Sequence, residues 1–306
     1  MSKTFKISVV ICTYNSEEFL EKCLKSLSFA DEIVIVDDGS TDASLEIARK
    51  FTKNIFKHKS VGYVEPVRNF AISRATNDWV LVVDADEEIP DSLSARLQGL
   101  VGSKEESTAF AIPRKNIIFG KWMQHTGWWP DYQIRFFKKD KTKWSDKIHS
   151  IPEIEGEKVK LDEREENAIV HNNYQNISQF LSRMDRYTTV EAKELLEKGY
   201  KLNWTELIAR PLSEFNSRFF AQNGYKDGLH GLSLSLLQTF SVLVLYLKVW
   251  EKSGFVQVDK KDLLEEIQKI WKKSVKDTRH WVFETLIKEN NGLLKKSLYK
   301  LKRKLG

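Results

Sequence analysis

Trp79-Val-Leu-Val-Val-Asp-Ala-Asp-Glu-Glu88 is the stretch of the chain that decides its fold. Its apolar run predicts a strand that is buried on both faces, as in a parallel sheet. Asp84 and Asp86 follow where that strand leaves the sheet, and ligands bind at this place in open α/β sheets. Side chains at i and i+2 of a strand point the same way, and paired carboxylates suit a hard divalent cation that clamps phosphates. The stretch therefore predicts a metal–diphosphate site, with a solvated turn before Pro90 as the alternative.

The chain before this stretch alternates between apolar runs and helical patterns. Buried strands are predicted at residues 7–12, 32–37 and 79–83, and a further short strand at residues 54–57. The first intervening helix has Asn15 and Glu18 in the spacing of a capping box, and residues 64–75 form the last one. Strands that alternate with helices predict an α/β fold with a doubly wound, mostly parallel sheet.

Acidic and aromatic residues follow the predicted strands at the same sheet edge. Asp37 and Asp38 come after the second strand, and Tyr14 comes after the first. A carboxylate accepts hydrogen bonds from ring N–H and hydroxyl groups, and a tyrosine ring can stack on a base. Beside a diphosphate site, these residues predict a nucleotide. Taken singly, each is also typical of an ordinary loop.

The composition is that of a globular protein with one large domain and an extension, or with two domains. The chain has 306 residues, 41% of them hydrophobic and 30% charged, and a formal net charge of +6. Cys12 and Cys23 give neither a disulfide framework nor a zinc spacing, which favours a reduced, cytosolic setting. No signal-peptide pattern precedes the first strand. Residues 295–304 contain lysines and an arginine but no acid, and a basic end of this kind can meet nucleic acid, anionic lipid or nothing. We predict no nucleic-acid partner.

Four short motifs occur together and in order. They are Ser8-Val-Val-Ile-Cys-Thr-Tyr-Asn15, Val36-Asp-Asp-Gly-Ser-Thr-Asp42, Val67-Arg-Asn69 and Val83-Asp-Ala-Asp86. In order and spacing they resemble the inverting glycosyltransferases of family 2, which have the GT-A fold, over roughly residues 5–150. The resemblance implies a Rossmann-like GT-A domain with flanking helices, a nucleotide-sugar donor, Mg²⁺ or Mn²⁺, and transfer with inversion at the anomeric carbon.

The same resemblance assigns roles by motif position. It implies that the nucleotide contacts Cys12, Tyr14, Asn15, Asp37, Asp38, Arg68 and Asp84. Arg68 would lie near the base or the diphosphate, Asp84 would face the ribose or the metal, and Asp86 would bind the metal. Cys12 stands where the family often has a hydroxyl residue, which puts a side-chain hydrogen bond at that position in question.

An aromatic stretch with glycines, Gly127-Trp-Trp-Pro-Asp-Tyr-Gln-Ile-Arg135, follows the metal motif. Aromatic faces pack against the apolar C–H faces of sugar rings. We therefore predict that Trp128, Trp129 and Arg135 bind the acceptor, with a tryptophan-rich core as the alternative.

Inversion requires a base that deprotonates the acceptor hydroxyl opposite the leaving diphosphate. The resemblance points to Asp131, in the loop where family 2 enzymes place an acidic base, and Asp146 and Glu153 stay open as alternatives. His149 is predicted to join Asp84 and Asp86 in the metal shell, as a late histidine does in some GT-A enzymes, or to bind acceptor. His171 is the weaker histidine candidate.

Three further motifs narrow the resemblance. Gly-Trp-Trp-Pro-Asp at 127–131, Ile-His-Ser at 148–150 and His-Asn-Asn-Tyr at 171–174 are similar to the bacterial lipopolysaccharide core beta-1,4-glucosyltransferase group. That similarity implies a hexose, for example glucose, moved from a UDP-sugar to a glycan or lipid-linked glycan acceptor of lipopolysaccharide or another cell-envelope polysaccharide. The group has Val-His-Glu where this chain has Ile-His-Ser, which leaves the acceptor and the linkage open.

Helical periodicity dominates from Ser178 onward. We therefore predict a GT-A domain over residues 1–175 and a helical region over 176–306 for acceptor, membrane or oligomer contacts. The sixteen uncharged residues 232–247 are short of the roughly 20 that span a bilayer. We predict that they and the basic tail lie peripherally on the cytoplasmic face of the inner membrane, with a core helix as the alternative. An amphipathic face within residues 260–304 is also suited to a homodimer.

Other protein classes share parts of these motifs. A haloacid-dehalogenase phosphatase needs a hydroxyl residue where Glu88 stands, and a dinucleotide-binding dehydrogenase needs a Gly-x-Gly-x-x-Gly turn after the first strand. A nucleotidyltransferase usually has a lysine-bearing, Gly-rich loop there and would release pyrophosphate. A non-catalytic carbohydrate-binding relative and a protein or small-molecule glycosyltransferase stay open.

Overall fold

The computed structural model describes residues 6–58, 65–102, 107–144 and 151–304. The chain forms two compact units. The first contains Met1–Ile118 and Trp129–Asn173, and the second contains Phe119–Trp128 and Tyr174–Gly306. The domain boundary predicted between residues 175 and 176 stays a prediction.

The first unit begins with alternating strands and helices. In chain order these are β1 (Ile7–Thr13), α1 (Leu20–Lys25), β2 (Glu32–Asp37), α2 (Ser44–Ala48), β3 (Ile55–Lys57), α3 (Glu65–Arg74) and β4 (Trp79–Asp84). β1 lies between β4 and β2, β2 lies beside β3, and all three pairs are parallel. The predicted α/β fold with a mostly parallel sheet is therefore confirmed.

Shorter and partly antiparallel strands follow. The first of them, β5 (Glu87–Glu88), precedes the helix α4 (Asp91–Gly102). The others are β6 (Ala109–Ile112), β7 (Arg114–Ile118), β8 (Lys121–Trp122) of the second unit, β9 (Gln133–Lys138), β10 (Thr142–Lys143), β11 (Glu153–Ile154), β12 (Lys158–Lys160) and β13 (Ile169–Tyr174). The large sheet has the order β12-β6-β9-β4-β1-β2-β3, and β9 is antiparallel to both of its neighbours. In a smaller sheet, β5, β13 and β7 are successive neighbours. β10 and β11 form a separate antiparallel pair.

Two apolar layers cover the two faces of the large sheet. Ile11 and Leu81 belong to the layer that contains α1 and α4, whereas Val10 and Val82 belong to the layer that contains α3. Because both faces are covered, consecutive residues in the middle of each central strand are apolar, which explains the uninterrupted runs in the sequence. The parallel register places Cys12 of β1 opposite Asp84 of β4. The polar residues that follow these strands therefore emerge together at one edge.

The loop after β1 differs from the predicted capping box. α1 begins at Leu20, its N-cap position is Phe19, and no side chain caps it. Asn15 has a left-handed backbone with φ 47°, and its amide oxygen accepts a hydrogen bond from the backbone N of Thr41 at 2.8 Å. Because this oxygen is used by the loop after β2, Asn15 joins the two loops instead of capping α1.

Five helices make up most of the second unit. They are α5 (Ile177–Glu197), α6 (Glu206–Phe215), α7 (Leu229–Lys252), α8 (Lys260–Glu289) and α9 (Leu293–Lys304). α7 packs against both α5 and α6, and α9 packs against α8. α6 contains Pro211 within its length, and the chain then becomes π-helical over Asn216–Ala221. These helices confirm the predicted helical C-terminal extension.

The uncharged stretch at residues 232–247 is part of a longer helix than predicted. α7 has 24 residues, because the helix extends beyond the uncharged run at both ends. Within the described ranges, α7 is the one helix whose length and hydropathy are sufficient to cross a membrane.

We expect Gly231 in the first turn of α7 to be essential for stability. A Cβ there would lie 1.8 Å from the carbonyl oxygen of Gly224, so that Gly231→Ala forces two backbone segments apart. We expect it to lower the free energy of unfolding by about 3 kcal/mol, the upper end for overpacking. Gly99→Ala in α4 is the matched control, because a Cβ at Gly99 meets nothing within 4 Å. Thermal unfolding followed by circular dichroism measures both, and equal midpoints would contradict the expected clash.

Candidate active site

Asp84, the last residue of β4, lies between two arginines. Arg135 of β9 donates hydrogen bonds to both of its carboxylate oxygens, and Arg68 of α3 donates from Nη2 to Oδ1 at 3.2 Å. Only 4% of Arg135 is exposed, so its charge requires a buried partner. Burial raises the pKa of Asp84, but Arg135 and Arg68 outweigh this and hold that pKa far below its ordinary value. Asp84 is therefore an anion that is fixed in place.

Glu87 and Asp131 continue an alternation of charges. Glu87 is fully buried, and its Oε2 accepts a hydrogen bond from the backbone N of Asp84 at 2.9 Å. Its Oε1 lies 3.4 Å from Nη1 of Arg114 and 3.5 Å from Nη2 of Arg135. Arg114 of β7 also binds Asp131, with Nε and Nη2 at 2.9 and 2.7 Å from Oδ2. Three carboxylates and three guanidinium groups thus form one ion-pair network, whose members are Arg68, Asp84, Arg135, Glu87, Arg114 and Asp131.

The predicted base, Asp131, accepts hydrogen bonds at both oxygens. In addition to Arg114, Asn116 donates from Nδ2 to Oδ2 at 2.9 Å, and Gln133 donates from Nε2 to Oδ1 at 3.1 Å. Burial raises the pKa of Asp131, but Arg114 and the hydrogen bonds from Asn116 and Gln133 lower it by more. Its pKa is therefore below the ordinary value of an aspartate. The carboxylate is therefore deprotonated at neutral pH and is a weaker proton acceptor than an ordinary aspartate.

Asp86 lies outside the ion-pair network and faces His171 of β13. Because β4 ends at Asp84 and Asp86 lies in the following turn, the alternation of strand side chains does not extend to it. Nε2 of His171 is 3.6 Å from Oδ1 of Asp86, and its Nδ1 is 2.7 Å from Oδ1 of Asn116. The two acids that were predicted to point the same way therefore have different partners. A carboxylate and an imidazole nitrogen at this separation are suited to binding one divalent cation.

The predicted three-residue metal shell is not assembled by the described residues. Within residues 6–58, 65–102, 107–144 and 151–304, no three His, Cys, Asp or Glu side chains form a group that could hold a metal ion. His149, the predicted third ligand, and Asp146, an alternative base, lie outside the described residues. Glu153, the other alternative base, is exposed on β11. A cation that also binds substrate phosphates needs only one or two protein ligands, and Asp86 and His171 fit that requirement.

Three predicted nucleotide contacts lie at and just after the end of β1. Cys12 is half-buried, and burial raises the pKa of its thiol to about 12, so that the thiol is protonated. Tyr14 is 60% exposed, which leaves its ring available for stacking. Asn15 is also exposed, although its amide oxygen is used by the loop after β2. The end of β1 thus presents a thiol opposite Asp84 of β4, and the loop after it presents an exposed phenol ring.

The two aspartates after β2 differ in their surroundings. Asp37 is buried, and its carboxylate accepts hydrogen bonds from the backbone N of Gly39 at 3.2 Å and of Ser40 at 3.1 Å. It therefore closes its own loop. Asp38 is half-buried, and its Oδ1 lies 3.6 Å from Nδ1 of His58. Asp38 is thus the one of the pair that is directed away from its own loop.

The acceptor role predicted for Arg135 stays a prediction. Its guanidinium lies in the ion-pair network, where Asp84 and Glu87 surround it, so its side chain is only 5% exposed. Trp128 belongs to the second unit and meets Tyr174 edge to face at 6.2 Å between ring centroids, and Trp129 is a half-buried residue of the first unit. The acceptor roles of the two tryptophans stay predictions.

Sequence reasoning missed several residues of this site. Trp144 is one of them, and the guanidinium of Arg68 stacks on its ring at 4.8 Å from the centroid. The others are Glu87, Arg114, Asn116 and His58. A signal was present in two short strands, because polar residues at i and i+2 lie on one face. Arg114 and Asn116 have this spacing on β7, and His171 and Asn173 have it on β13.

Comparisons with known proteins identify a family domain that contains all four short motifs. The family model of Glycosyl transferase family 2 matches residues 8–152. An uncharacterized glycosyltransferase of Rickettsia conorii is 26% identical over 265 residues, which are 82% of this chain and 92% of that protein. The lipopolysaccharide core biosynthesis glycosyltransferase LpsC of Rhizobium meliloti is 22% identical over 258 residues, 80% of this chain and 92% of that protein. The solved structure of a mannosyltransferase from Pyrobaculum calidifontis in complex with GDP-Man and Mn²⁺ covers 98% of this chain and 87% of that chain, with 13% identity and a TM-score of 0.45.

We expect Arg135→Met to lower the free energy of unfolding by about 3–5 kcal/mol, because it leaves the buried carboxylate of Glu87 and the half-buried carboxylate of Asp84 without their common partner. Arg164→Met is the matched control, since Arg164 is 66% exposed and its ion pairs are long. Its effect should stay within about 0.5 kcal/mol. Urea unfolding followed by tryptophan fluorescence measures both values. Equal unfolding midpoints for the two variants would show that the network does not stabilise the fold.

Proposed function

Because the chain is a glycosyltransferase with a family 2 domain over residues 8–152 and a GT-A-like fold, we propose that it is a metal-dependent, inverting enzyme. Its donor is a UDP-sugar that carries a hexose such as glucose. Its acceptor is a glycan, free or lipid-linked, of lipopolysaccharide or another cell-envelope polysaccharide. The relation to LpsC, whose name states lipopolysaccharide core biosynthesis, supports this choice of acceptor.

The single observation that carries the proposal is the Asp86–His171 pair at the exit of β4. It supplies a carboxylate oxygen and an imidazole nitrogen 3.6 Å apart. Both oxygens of Asp84 already accept from guanidinium groups, which favours Asp86 over Asp84 as the metal ligand. We therefore assign Mg²⁺ or Mn²⁺ to Asp86 and His171, with His149 as a further ligand. Bound there, the cation would neutralise charge on the diphosphate of the leaving nucleotide.

The donor nucleotide is assigned to the edge formed by the loops after β1, β2 and β4. Tyr14 stacks on the base, and Asp38 accepts hydrogen bonds from it. Asp84 holds Arg68 in place, and Arg68 supplies a fixed positive charge toward the diphosphate. Fixed charges of this kind stabilise a leaving diphosphate without reorganisation during the reaction.

The base is assigned to Asp131. Its pKa is lowered, so it is ready to accept a proton at neutral pH, and Gln133 donates to its Oδ1 while Arg114 and Asn116 hold Oδ2. Oδ1 therefore carries the smaller hydrogen-bonding load and is the atom assigned to the acceptor hydroxyl. The hydroxyl oxygen attacks the anomeric carbon, and the bond to the nucleoside diphosphate breaks on the opposite face.

We expect Asp86→Asn to abolish metal-dependent nucleotide binding. A nucleotide present at 100 times its Kd stabilises a protein by about 2.7 kcal/mol. At roughly 2–4 °C per kcal/mol for a unit of this size, that is a rise in Tm of about 5–10 °C. We expect this rise for the wild type with UDP or a UDP-sugar and Mn²⁺, and neither with EDTA nor in Asp86→Asn. The measurement is a thermal-shift assay with each nucleoside diphosphate in turn.

Asp91→Asn is the control for this experiment, because the exposed Asp91 at the start of α4 is outside the site. It should keep the full Mn²⁺-dependent rise. Product analysis then separates the chemistries: nucleoside diphosphate indicates sugar transfer, whereas pyrophosphate indicates nucleotidyl transfer. An Asp86→Asn variant with wild-type activity in Mn²⁺ would refute the assignment, and absence of a wild-type shift with any nucleotide would favour a non-catalytic relative.

We also assign α9 to the cytoplasmic face of an anionic membrane. Four leucines of α9 are 47–88% exposed, namely Leu293, Leu294, Leu298 and Leu301. At 3.6 residues per turn they lie within an arc of about 140°. Lysines flank this arc, while Tyr299 and Arg303 contact Phe283 and Glu284 of α8. An exposed apolar stripe bordered by lysines is the pattern of a helix that lies in the headgroup region.

We expect the triple variant Lys295→Glu, Lys296→Glu, Lys300→Glu to lose binding to anionic vesicles. Each basic residue near such a surface contributes about 1 kcal/mol, so three reversals should weaken binding at least about 100-fold. The variant Lys193→Glu, Lys198→Glu, Lys201→Glu changes net charge equally on exposed positions outside α9 and should bind like the wild type. Co-sedimentation with phosphatidylglycerol and phosphatidylcholine vesicles measures this. Equal binding of the wild type to both lipids would contradict the assignment, as would equal loss in both variants.

A further inference from the structure

Asp131 determines which way the amide of Asn116 points. The deprotonated carboxylate can only accept hydrogen bonds, so the group 2.9 Å from its Oδ2 must be the Nδ2 amide of Asn116. Nδ2 of Asn173 also donates to the opposite atom, Oδ1 of Asn116, at 3.3 Å. Asp131 therefore requires an orientation of the amide in which Oδ1 is directed toward His171, and the hydrogen bond from Asn173 is consistent with it.

Asn116 in turn determines where His171 carries its proton. Oδ1 of Asn116 lies 2.7 Å from Nδ1 of His171, and an amide oxygen cannot donate. In the neutral imidazole, a proton on Nε2 would leave two acceptor atoms facing each other at this distance. Asn116 is fully buried and His171 is 7% exposed, so water does not relieve such a contact. The proton therefore belongs on Nδ1.

We infer that Asn116 is a positioning residue, which Asp131 orients and which holds His171 as the Nδ1–H tautomer with the Nε2 lone pair directed toward Asp86. The chain of contacts runs from Asp131 through Asn116 and His171 to Asp86, with separations of 2.9, 2.7 and 3.6 Å. This inference rests on the proposed function only in what it assigns to Nε2, namely a divalent cation. A ligand histidine commonly donates its other ring N–H to a neighbouring acceptor, which fixes its ring and raises its basicity.

The tautomer of His171 is measurable in the metal-free protein. With ¹⁵N-labelled histidine at pH 8, long-range ¹H–¹⁵N spectra distinguish a protonated from a bare ring nitrogen, and His171→Gln identifies the signals of His171. We expect Nδ1–H in the wild type. Asn116→Leu keeps the size of the side chain but removes the acceptor, and should shift the tautomer ratio about tenfold toward Nε2–H. Mn²⁺ titrations with UDP present should then show an affinity about 10–100-fold weaker.

Asn173→Leu is the matched control. Asn173 also donates a hydrogen bond to Oδ1 of Asn116, but it is not a member of the series of contacts that runs from Asp131 to Asp86. It should keep the wild-type tautomer. The double variant Asn116→Asp, Asp131→Asn exchanges the carboxylate and the amide, so that an acceptor again faces Nδ1. It should restore the Nδ1–H tautomer of His171 even though Asp131, the proposed base, has been replaced. A variant with a damaged fold would not regain this tautomer, so the result distinguishes loss of positioning from loss of folding.

The outcomes decide the positioning role independently of the enzyme reaction. Nε2–H in the wild type, or an unchanged ratio in Asn116→Leu, overturns it. Nδ1–H in the wild type, lost in Asn116→Leu and restored in the double variant, supports it. If the wild type binds no Mn²⁺ with UDP, the assignment of a cation to this site fails, while the tautomer result still decides what Asn116 does.

Discussion

The alternation of carboxylates and guanidinium groups at the end of β4 is the constraint on which the rest of the first unit depends. A fully buried acid such as Glu87, or an arginine as buried as Arg135, is unfavourable by itself and is stabilised only by its neighbours. The network takes Asp84 and Arg135 from strands of the large sheet, and it takes Glu87 and Arg114 from strands of the smaller one. Each sheet contains one ion pair of its own, and the contact between Arg135 and Glu87 joins the two, so that the network is complete only when both sheets are in place.

The network also explains why two acids only two residues apart have different roles. The charge of Asp84 is balanced by Arg68 and Arg135, which makes it a structural anion that orients two cations. Asp86 is opposed by the imidazole of His171, and an imidazole in its neutral form is a metal ligand. A cation at Asp86 would thus bind beside an array whose internal charges already cancel, and the added positive charge would remain available to the diphosphate of the donor.

The parallel half of the fold could be predicted because its signal is local. The neighbouring residues Val9 and Val10 are both buried although they face opposite sides of the sheet, so the middle of β1 is a continuous apolar run that a few neighbouring positions reveal. The site could be predicted only in part. Arg135 resembles a surface residue in the sequence because its partner Asp84 is 51 residues away, and His171 is 55 residues from Asn116. Such contacts depend on which strands lie beside β9 and which lie beside β13, and no local sequence pattern specifies these neighbours.

For the proposed reaction, the environment of Asp131 favours accurate position over basicity. Hydrogen bonds from Arg114, Asn116 and Gln133 lower its affinity for a proton. The acceptor hydroxyl therefore keeps its proton until its bond to the anomeric carbon has largely formed and its own pKa has fallen. The same bonds hold the carboxylate in one orientation, which lowers the entropic cost of reaching the reactive geometry. Because Asn116 is shared with His171, the group that receives the proton and the group assigned to the cation have one buried amide as their common support. A displacement on the acceptor side would then be transmitted directly to the side that holds the leaving diphosphate.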